Sequence, residues 1–195
     1  QMCIRDSTYT AEVGQQTLRS YIPKQILLVG SASYNDDGST TEGTAEGGRQ
    51  IVLYSVNDFN FTLEQIQSYA HVMHHEFAHI LHQNVEYDAE FEKITPSYSS
   101  SWMQMNDETA RTKGFITAYA SSSADEDFAE MVSIMLTNSP EDWDNMIESA
   151  GNATAVEALR KKEAIVVAYM KNNWGVDMKD FQKEVVAAIE AAVRN

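Results

Sequence analysis

Hydrophobic positions in the first third of the chain are spaced as in β-strands. Apolar residues over 25–34 and over 50–56 predict two strands. The second strand is apolar on both faces, with Ile51 and Leu53 on one side and Val52 and Tyr54 on the other. This pattern is typical of a strand in a sheet that is covered on both sides. The segment 35–49 between the two strands is rich in Gly, Asp and Thr, and it is predicted to be a loop.

A run of Asn, Asp, Asp and Gly at 35–38 in this loop is similar to the start of a calcium-binding loop. It departs from the EF-hand pattern, because Ser33 occupies the first ligand position and Thr44 occupies the position of the bidentate glutamate. A turn is therefore the preferred interpretation of residues 35–38.

Beyond residue 60 the apolar positions recur with helical spacing. Thr62 and Gln65 form a capping box, which predicts a long helix that runs to about Gln83. One face of this helix should pack on the core, because it carries an apolar stripe. The stripe consists of Ile66, Ala70, Met73, Phe77 and Ile80.

The second half of the chain is predicted to be mainly helical. One helix is expected from near Ser123 to just before Ser139. Later helices are expected to begin at Thr154, which is paired with Glu157 as a cap, and at Asp177. Residues 84–121, between the long helix and this region, are predicted to be irregular.

Composition narrows the class of protein. The chain has 195 residues, of which 43% are hydrophobic, and this is enough for one sizeable core. The net charge of −15 is spread along the chain, which argues against nucleic acid or an anionic membrane surface as a partner. No apolar run approaches the 18 or so residues of a membrane span, so no transmembrane segment is predicted.

The first residues do not fit the rest of the chain. Residues 1–7 resemble translated sequencing-adapter sequence, so we expect a non-native start at 1–7 and a single domain over 8–195. The only cysteine, Cys3, lies in this stretch and is assigned no role. Neither a disulfide nor a thiolate metal site is therefore expected, and no export signal is visible over 1–20.

All five histidines lie within the twelve residues 71–82 of the predicted long helix. At about 100° per residue, four of them share an arc of roughly 80° opposite the apolar stripe. These four are His71, His75, His79 and His82. The helix is thus expected to turn one face to the core and a histidine face to a site.

His75, Glu76 and His79 form the pattern H-E-x-x-H. Two imidazoles one helical turn apart can share one Zn²⁺ ion, and the intervening glutamate can act as general base at the open coordination position. The alternative is a polar face of a surface helix. The intervening glutamate and the helical context favour the metal site, with His71, His74 and His82 in an outer layer or facing solvent.

Catalytic zinc normally has three protein ligands. The extended pattern with a third histidine fails, because Val85 stands at its last position and no histidine follows residue 82. A downstream carboxylate is therefore expected. Glu126 and Glu130 lie one turn apart, so the first could bind zinc and the second could accept the N–H of a ligand histidine.

Glu126 also has an alternative interpretation, since Ser123 and Glu126 form a capping box that would occupy this side chain. The need for a third ligand favours the metal role over the cap. Asp125 and Asp127, near the same helix start, are expected to be solvated.

The chain resembles a family of zinc-binding metallopeptidases that occur as lipoproteins of Bacteroidota and are linked to outer-membrane nutrient import. The resemblance covers most of residues 20–190. Its most specific blocks are H-E-F-A-H at 75–79 and E-D-F-A-E at 126–130, and two further blocks span 21–29 and 114–120. It implies an α+β, zincin-like fold with a small N-terminal sheet, the H-E-x-x-H helix and a helical C-terminal part.

The same resemblance implies a gluzincin-type hydrolase, in which a later glutamate completes the ligand set. It also implies an exported, cell-surface or outer-membrane lipoprotein, with an outer-membrane uptake complex as a partner. The block at 126–130 is similar to that of the anthrax lethal factor protease group. There a tyrosine seven residues before the ligand glutamate stabilises the oxyanion, and Tyr119 holds that position here.

Three functions remain open from the sequence. The preferred one is a zinc metallopeptidase that acts on a peptide or protein substrate. The second is a non-catalytic zinc-binding lipoprotein of an uptake complex, which Glu76 argues against because zinc binding alone does not need it. The third is a zinc hydrolase of a non-peptide amide, such as one in a cell-wall fragment.

Overall fold

The structure is a computed structural model that describes residues 21–36, 38–46 and 49–194. The non-native start expected at 1–7, with Cys3, lies outside these residues. Across the described ranges, no helix combines the length and apolar character needed to cross a membrane. The fold is α+β, as the sequence predicts, with a small sheet followed by a mostly helical remainder.

The sheet lies near the N-terminal end of the described chain. Its three strands have the order β1-β5-β4, with β5 parallel to β1 and antiparallel to β4. A separate antiparallel pair is formed by β2 and β3. The strands are β1 (Gln25–Leu28), β2 (Ser33–Tyr34), β3 (Thr40–Thr41), β4 (Gly43–Glu46) and β5 (Gln50–Leu53). The central β5 is buried at Ile51, Val52 and Leu53, which agrees with its apolar pattern.

Two details of the predicted strands and loop are wrong. The strand predicted over 25–34 is interrupted between β1 and β2, and the loop predicted over 35–49 contains β3 and β4. The sequence of β4, which includes glycine, is not typical of a strand, and the strand is stabilised by its pairing with β5. The turn at 35–38 is confirmed, because Gly38 has a φ of 86° and its N–H donates to the Asn35 carbonyl.

Seven helices follow the sheet in the described part of the chain. The longest, α1, begins after Thr62, whose hydroxyl accepts the N–H of Gln65. The Gln65 side chain accepts the N–H of Asn60, rather than that of Thr62 as in a reciprocal capping box. The helices are α1 (Leu63–Asn84), α2 (Glu90–Ile94), α3 (Asp107–Thr112), α4 (Ala124–Thr137), α5 (Pro140–Glu148), α6 (Ala153–Trp174) and α7 (Met178–Val193).

Helix caps account for two further differences. Residues 84–121 are not wholly irregular, because α2, α3 and short 3-10 turns lie there, and Asn106 caps α3 by accepting the N–H of Thr109. The cap of α6 is Asn152, which accepts the N–H of Ala155, so the predicted cap at Thr154 is wrong. Asp177 caps α7 as expected.

The core lies between α1, the sheet and the C-terminal helices. Ile66, Ala70, Phe77 and Ile80 of the predicted stripe are buried, and Met73 is partly buried. The opposite face of α1 packs along α4. This contact between two helices brings the histidines of α1 next to the glutamates of α4.

Candidate metal centre

Three side chains converge where α1 faces the first turn of α4. Nε2 of His75 lies 3.0 Å from Nε2 of His79, one helical turn further along α1. Oε2 of Glu126 lies 3.0 Å from His75 Nε2 and 3.2 Å from His79 Nε2. The structure thus brings together the three residues that the sequence predicts as metal ligands.

The donor atoms suit a single zinc ion in both number and spacing. Two imidazole nitrogens and one carboxylate oxygen are the ligands of a catalytic zinc site with one open position. Tetrahedral zinc with bonds of about 2.0–2.1 Å places its ligand atoms roughly 3.3–3.4 Å apart. The observed separations of 3.0–3.2 Å differ from this by a few tenths of an ångström.

Electrostatics at the site favour a positive charge among these ligands. Burial opposes protonation of His75, but hydrogen bonds to Glu126 and Glu130 outweigh it and raise the pKa of His75 to about 10. Burial likewise opposes ionisation of Glu126, but His75 and His79 hold its pKa well below the usual range. The negative charges of Glu126 and Glu130, which favour a proton on His75, would equally favour a bound divalent cation.

Glu126 combines the two roles that the sequence presents as alternatives. Its backbone N–H donates to the Ser123 hydroxyl at 3.3 Å, so Ser123 is the N-cap of α4. The Glu126 carboxylate does not return to the cap, and it points instead at His75 and His79. Since the cap uses only the backbone of Glu126, its side chain is available to a metal.

Glu130 lies directly behind His75. Its Oε1 is 2.8 Å from His75 Nδ1 and 2.8 Å from His71 Nε2, and its Oε2 accepts the Thr117 hydroxyl at 2.6 Å. Burial alone would raise the pKa of Glu130, but His71 and His75 hold it well below the usual range. An ionised Glu130 accepts a hydrogen bond from the Nδ1–H of His75, which leaves His75 Nε2 free to bind a metal.

The hydrogen-bond partner of His79 Nδ1 is another histidine instead of a carboxylate. Its Nδ1 lies 2.9 Å from Nε2 of His82, and Nδ1 of His82 lies 3.9 Å from Oδ1 of Asp125. Burial lowers the pKa of His82, and the charge of Asp125 opposes this. The Tyr87 hydroxyl donates to the same Asp125 oxygen at 2.8 Å.

Glu76 lies between α1 and the edge of the sheet. It is half-buried, and burial raises the pKa of its carboxyl, while the charges of His75 and His79 oppose this. The carboxylate accepts the backbone N–H of Ala45 in β4. This close approach depends on Gly43, because a Cβ there would overlap the side chain of Val72 on α1.

Tyr119 begins the 3-10 turn Tyr119–Ser121, next to the histidine face. Its ring centroid lies 5.8 Å from that of His75 and 4.9 Å from that of Trp102, and 37% of the residue is exposed. Burial raises the pKa of the Tyr119 hydroxyl well above its usual range, and the charge of Glu126, to which it donates a hydrogen bond, adds to this.

Some neighbours of the site differ from the sequence-based expectation. His74 is neither in an outer layer nor solvent-facing, since it is 2% exposed and its ring lies 5.9 Å from that of Phe181. Asp127 is buried rather than solvated, and it forms an ion pair with the buried Lys162. Burial raises the pKa of Asp127 to about 6, with Lys162 opposing the shift.

Two members of the site were not assigned a specific role from the sequence. His71 could have been recognised, because it lies one turn before His75 on the same face of α1. Thr117 carries no comparable signal. It reaches Glu130 only because the chain between α3 and α4 folds back against the first turns of α4.

Comparison with known proteins identifies the family to which this chain belongs. Residues 1–179 match the family described as "Putative zinc-binding metallo-peptidase". A crystal structure described as "a putative zinc-binding metallo-peptidase from Bacteroides caccae ATCC 43185" is similar to the chain with a TM-score of 0.82 and 34% sequence identity. That likeness covers 100% of this chain and 76% of the other. No curated protein matches. The chain belongs to the zinc-binding metallopeptidase family.

Proposed function

We propose that this protein is a zinc-dependent hydrolase of the gluzincin type that cleaves peptide bonds. The observation that carries the proposal is the convergence of His75, His79 and Glu126 within 3.2 Å of one another. Membership of a zinc-binding metallopeptidase family supports the choice of zinc. These three residues would hold the ion, and Glu130 would orient the imidazole of His75.

Zinc bound by these residues would supply Lewis acidity, which polarises a substrate carbonyl and makes a water molecule more acidic. Glu76 takes a proton from the attacking water and delivers it to the nitrogen of the leaving amine. Burial makes the Glu76 carboxylate a stronger base than an exposed glutamate, which favours acceptance of the proton, while the positive charge of a bound zinc ion would lower the pKa of Glu76 and favour the later release. The Ala45 N–H holds the carboxylate in place meanwhile.

Tyr119 is proposed to stabilise the transition state. Its hydroxyl keeps its proton at neutral pH and can donate to the carbonyl oxygen as negative charge develops there. For this it must exchange its bond to Glu126 for one to the substrate. Its partial exposure beside the buried His75 ring supports access to a substrate.

A peptide substrate is favoured by the position of β4. This strand is at one edge of its sheet, and the Ala45 N–H points away from β5 towards Glu76. An extended peptide can add to such an edge by main-chain hydrogen bonds. A peptide that adds to this edge beyond the Ala45 N–H, which Glu76 already occupies, would pass beside the general base.

The test compares Glu76→Gln with the wild-type protein on mixed peptides and on cell-wall fragments. The substitution keeps the size of the side chain and removes the proton acceptor, so zinc content should be unchanged while peptide hydrolysis falls by orders of magnitude. Glu64→Gln, an exposed change in the first turn of the same helix, is the matched control and should remain fully active.

Other results would contradict the proposal in distinct ways. Equal hydrolysis by Glu76→Gln and wild type would exclude Glu76 as the base. Wild-type protein that binds zinc and hydrolyses neither class of substrate would favour a non-catalytic role. Hydrolysis of cell-wall fragments alone would favour a non-peptide amide as substrate.

An exported lipoprotein at the cell surface or outer membrane, with an uptake complex as partner, is proposed from the family resemblance alone. The coding sequence upstream of this chain would test it, because an export signal followed by a lipid-anchor cysteine is expected there.

A further inference from the structure

The two histidines of the proposed zinc site have different hydrogen-bond partners at Nδ1. Behind His75 is the carboxylate of Glu130, a common outer partner of a zinc-binding imidazole. The corresponding partner of His79 is the imidazole of His82, whose Nε2 lies 2.9 Å from His79 Nδ1. An imidazole acceptor differs from a carboxylate because it accepts a hydrogen bond at one nitrogen only, and only when that nitrogen carries no proton.

This contact fixes where the protons lie. If His79 binds zinc through Nε2, its Nδ1 carries the remaining proton. This N–H then donates a hydrogen bond to Nε2 of His82. The proton of a neutral His82 then lies on Nδ1, which faces the Asp125 carboxylate at 3.9 Å. At this distance the negative charge of Asp125 favours that tautomer of His82 by electrostatic attraction, without a hydrogen bond.

The surroundings of His82 keep its ring in this orientation. The residue is 7% exposed, and its ring centroid lies 5.6 Å from that of Tyr87 and 6.0 Å from that of Phe128. Tyr87 stacks on Phe128 and donates its hydroxyl hydrogen to Asp125. The aromatic rings therefore restrict rotation of His82, and Tyr87 also holds the carboxylate towards which it points.

We propose that His82 is a positioning residue whose Nε2 accepts a hydrogen bond from the Nδ1–H of His79 and thereby holds Nε2 of His79 ready to bind zinc. The proposal rests on the ligand set of the proposed function. It assigns the third histidine of H-E-x-x-H-x-x-H, at 75–82, to ligand orientation through a histidine–histidine hydrogen bond.

The experiment measures zinc affinity by competition with a chromophoric chelator. His82→Phe keeps an aromatic ring among Tyr87 and Phe128 but removes the acceptor, so zinc affinity should fall about 10–100-fold. His82→Gln restores an acceptor through its amide oxygen and should recover part of the loss. His74→Phe replaces a buried histidine on the core face of the same helix, and it should leave zinc affinity within about twofold of wild type.

A spectroscopic measurement separates positioning from general stabilisation. In ¹⁵N-labelled, zinc-loaded protein, the Nδ1 protons of His75 and His79 should both appear as slowly exchanging ring N–H signals, because each is hydrogen-bonded away from solvent. His82→Phe should lose the His79 signal and keep the His75 signal. A structural role for His82 alone would not produce this selective loss.

Several outcomes would overturn the proposal. Equal zinc affinity in His82→Phe and wild type, or a His79 ring signal that persists in His82→Phe, would contradict the role of His82 alone. A loss of affinity in His74→Phe as large as in His82→Phe would show that the effect is general to buried histidines. Wild-type protein that binds no zinc would contradict the proposed function as well.

Discussion

Glu126 shows how one residue serves two neighbouring structures. Its backbone N–H completes the cap at Ser123, while its carboxylate meets His75 and His79 on another helix. The positive end of the α4 dipole also favours a negative side chain in this first turn. A helix start is therefore a suitable origin for a carboxylate ligand, because the backbone holds the residue without using its side chain.

The first prediction separates the two roles of Glu126. Glu126→Ala should reduce zinc affinity by more than Glu130→Ala, for which the expected loss is about 10–100-fold because Glu130 acts through His75. Titration of zinc into both variants measures the difference. Ser123→Ala is the control, and it should cost about 0.5–2 kcal/mol of unfolding free energy with little change in zinc affinity. Small, equal effects on zinc from both glutamates would mean that a different carboxylate is the ligand.

Some residues of the candidate site can be predicted from the sequence, because they share one helix. Others cannot, because they come together only in the folded chain. His75, Glu76 and His79 share one helix, and helical spacing alone places them on one face. Glu126 is predicted from the chemistry of a zinc site that would otherwise lack a third ligand. Thr117 cannot be found in this way, since a threonine in an irregular segment has no spacing that indicates which carboxylate it will meet.

At the scale of elements, α4 is fixed on two sides. One face carries Glu126 and Glu130 towards α1, and another carries Asp127 towards α6. Lys162 of α6 is fully buried; its Nζ also donates to the Gly114 carbonyl at 2.8 Å and lies 4.3 Å from the Phe115 ring centroid. The ion pair thus joins α4, α6 and the segment that follows α3.

The second prediction concerns this buried pair. Lys162→Met removes the countercharge of Asp127 and should lower the free energy of unfolding by about 3–5 kcal/mol. Urea unfolding in the presence of chelator measures this without a contribution from zinc. The double variant Asp127→Asn with Lys162→Met removes both charges and should recover a large part of the loss. Lys161→Met is the control, because Lys161 is exposed and pairs only with Glu157 among the described residues. A loss below 1 kcal/mol in Lys162→Met would contradict the structural role.

Some elements can be predicted from hydrophobic periodicity alone, whereas others form only because they pair with another part of the chain. The long helices follow from apolar spacing and from caps such as Thr62 and Asp177. β4 does not, because a strand of Gly, Thr, Ala and Glu is stabilised by its partner β5 and by contact with α1. The burial of Asp127 could not be predicted from local sequence either, because its partner Lys162 lies 35 residues away in sequence.

At the scale of the whole molecule, the candidate metal centre connects parts of the chain that are about fifty residues apart. Glu126 is separated from His75 by 51 residues and from His79 by 47. Both helices also carry buried side chains in the hydrophobic core that do not depend on a metal, including Ile80 of α1 and Phe128 and Ala129 of α4. Zinc should therefore add to the stability of a fold that exists without it.

The third prediction follows from this linkage. Zinc at 100 times its Kd should stabilise the folded state by about 2.7 kcal/mol, which corresponds to a rise in Tm of roughly 5–11 °C for a domain of this size. Thermal unfolding with zinc and with chelator measures the shift. The double variant His75→Ala with His79→Ala should show none. Complete unfolding of the wild-type protein in chelator would contradict a metal-independent core.

Gly43 determines how closely the sheet can approach the long helix. A single methyl group at this position would meet the Val72 side chain and lie 3.1 Å from the Val52 carbonyl oxygen, so the strand and the helix would have to separate. Ala45, two residues along, would move with the strand, and its amide would leave the Glu76 carboxylate. The position of the proposed general base relative to the edge of the sheet therefore depends on one residue that has a hydrogen atom in the place of a side chain.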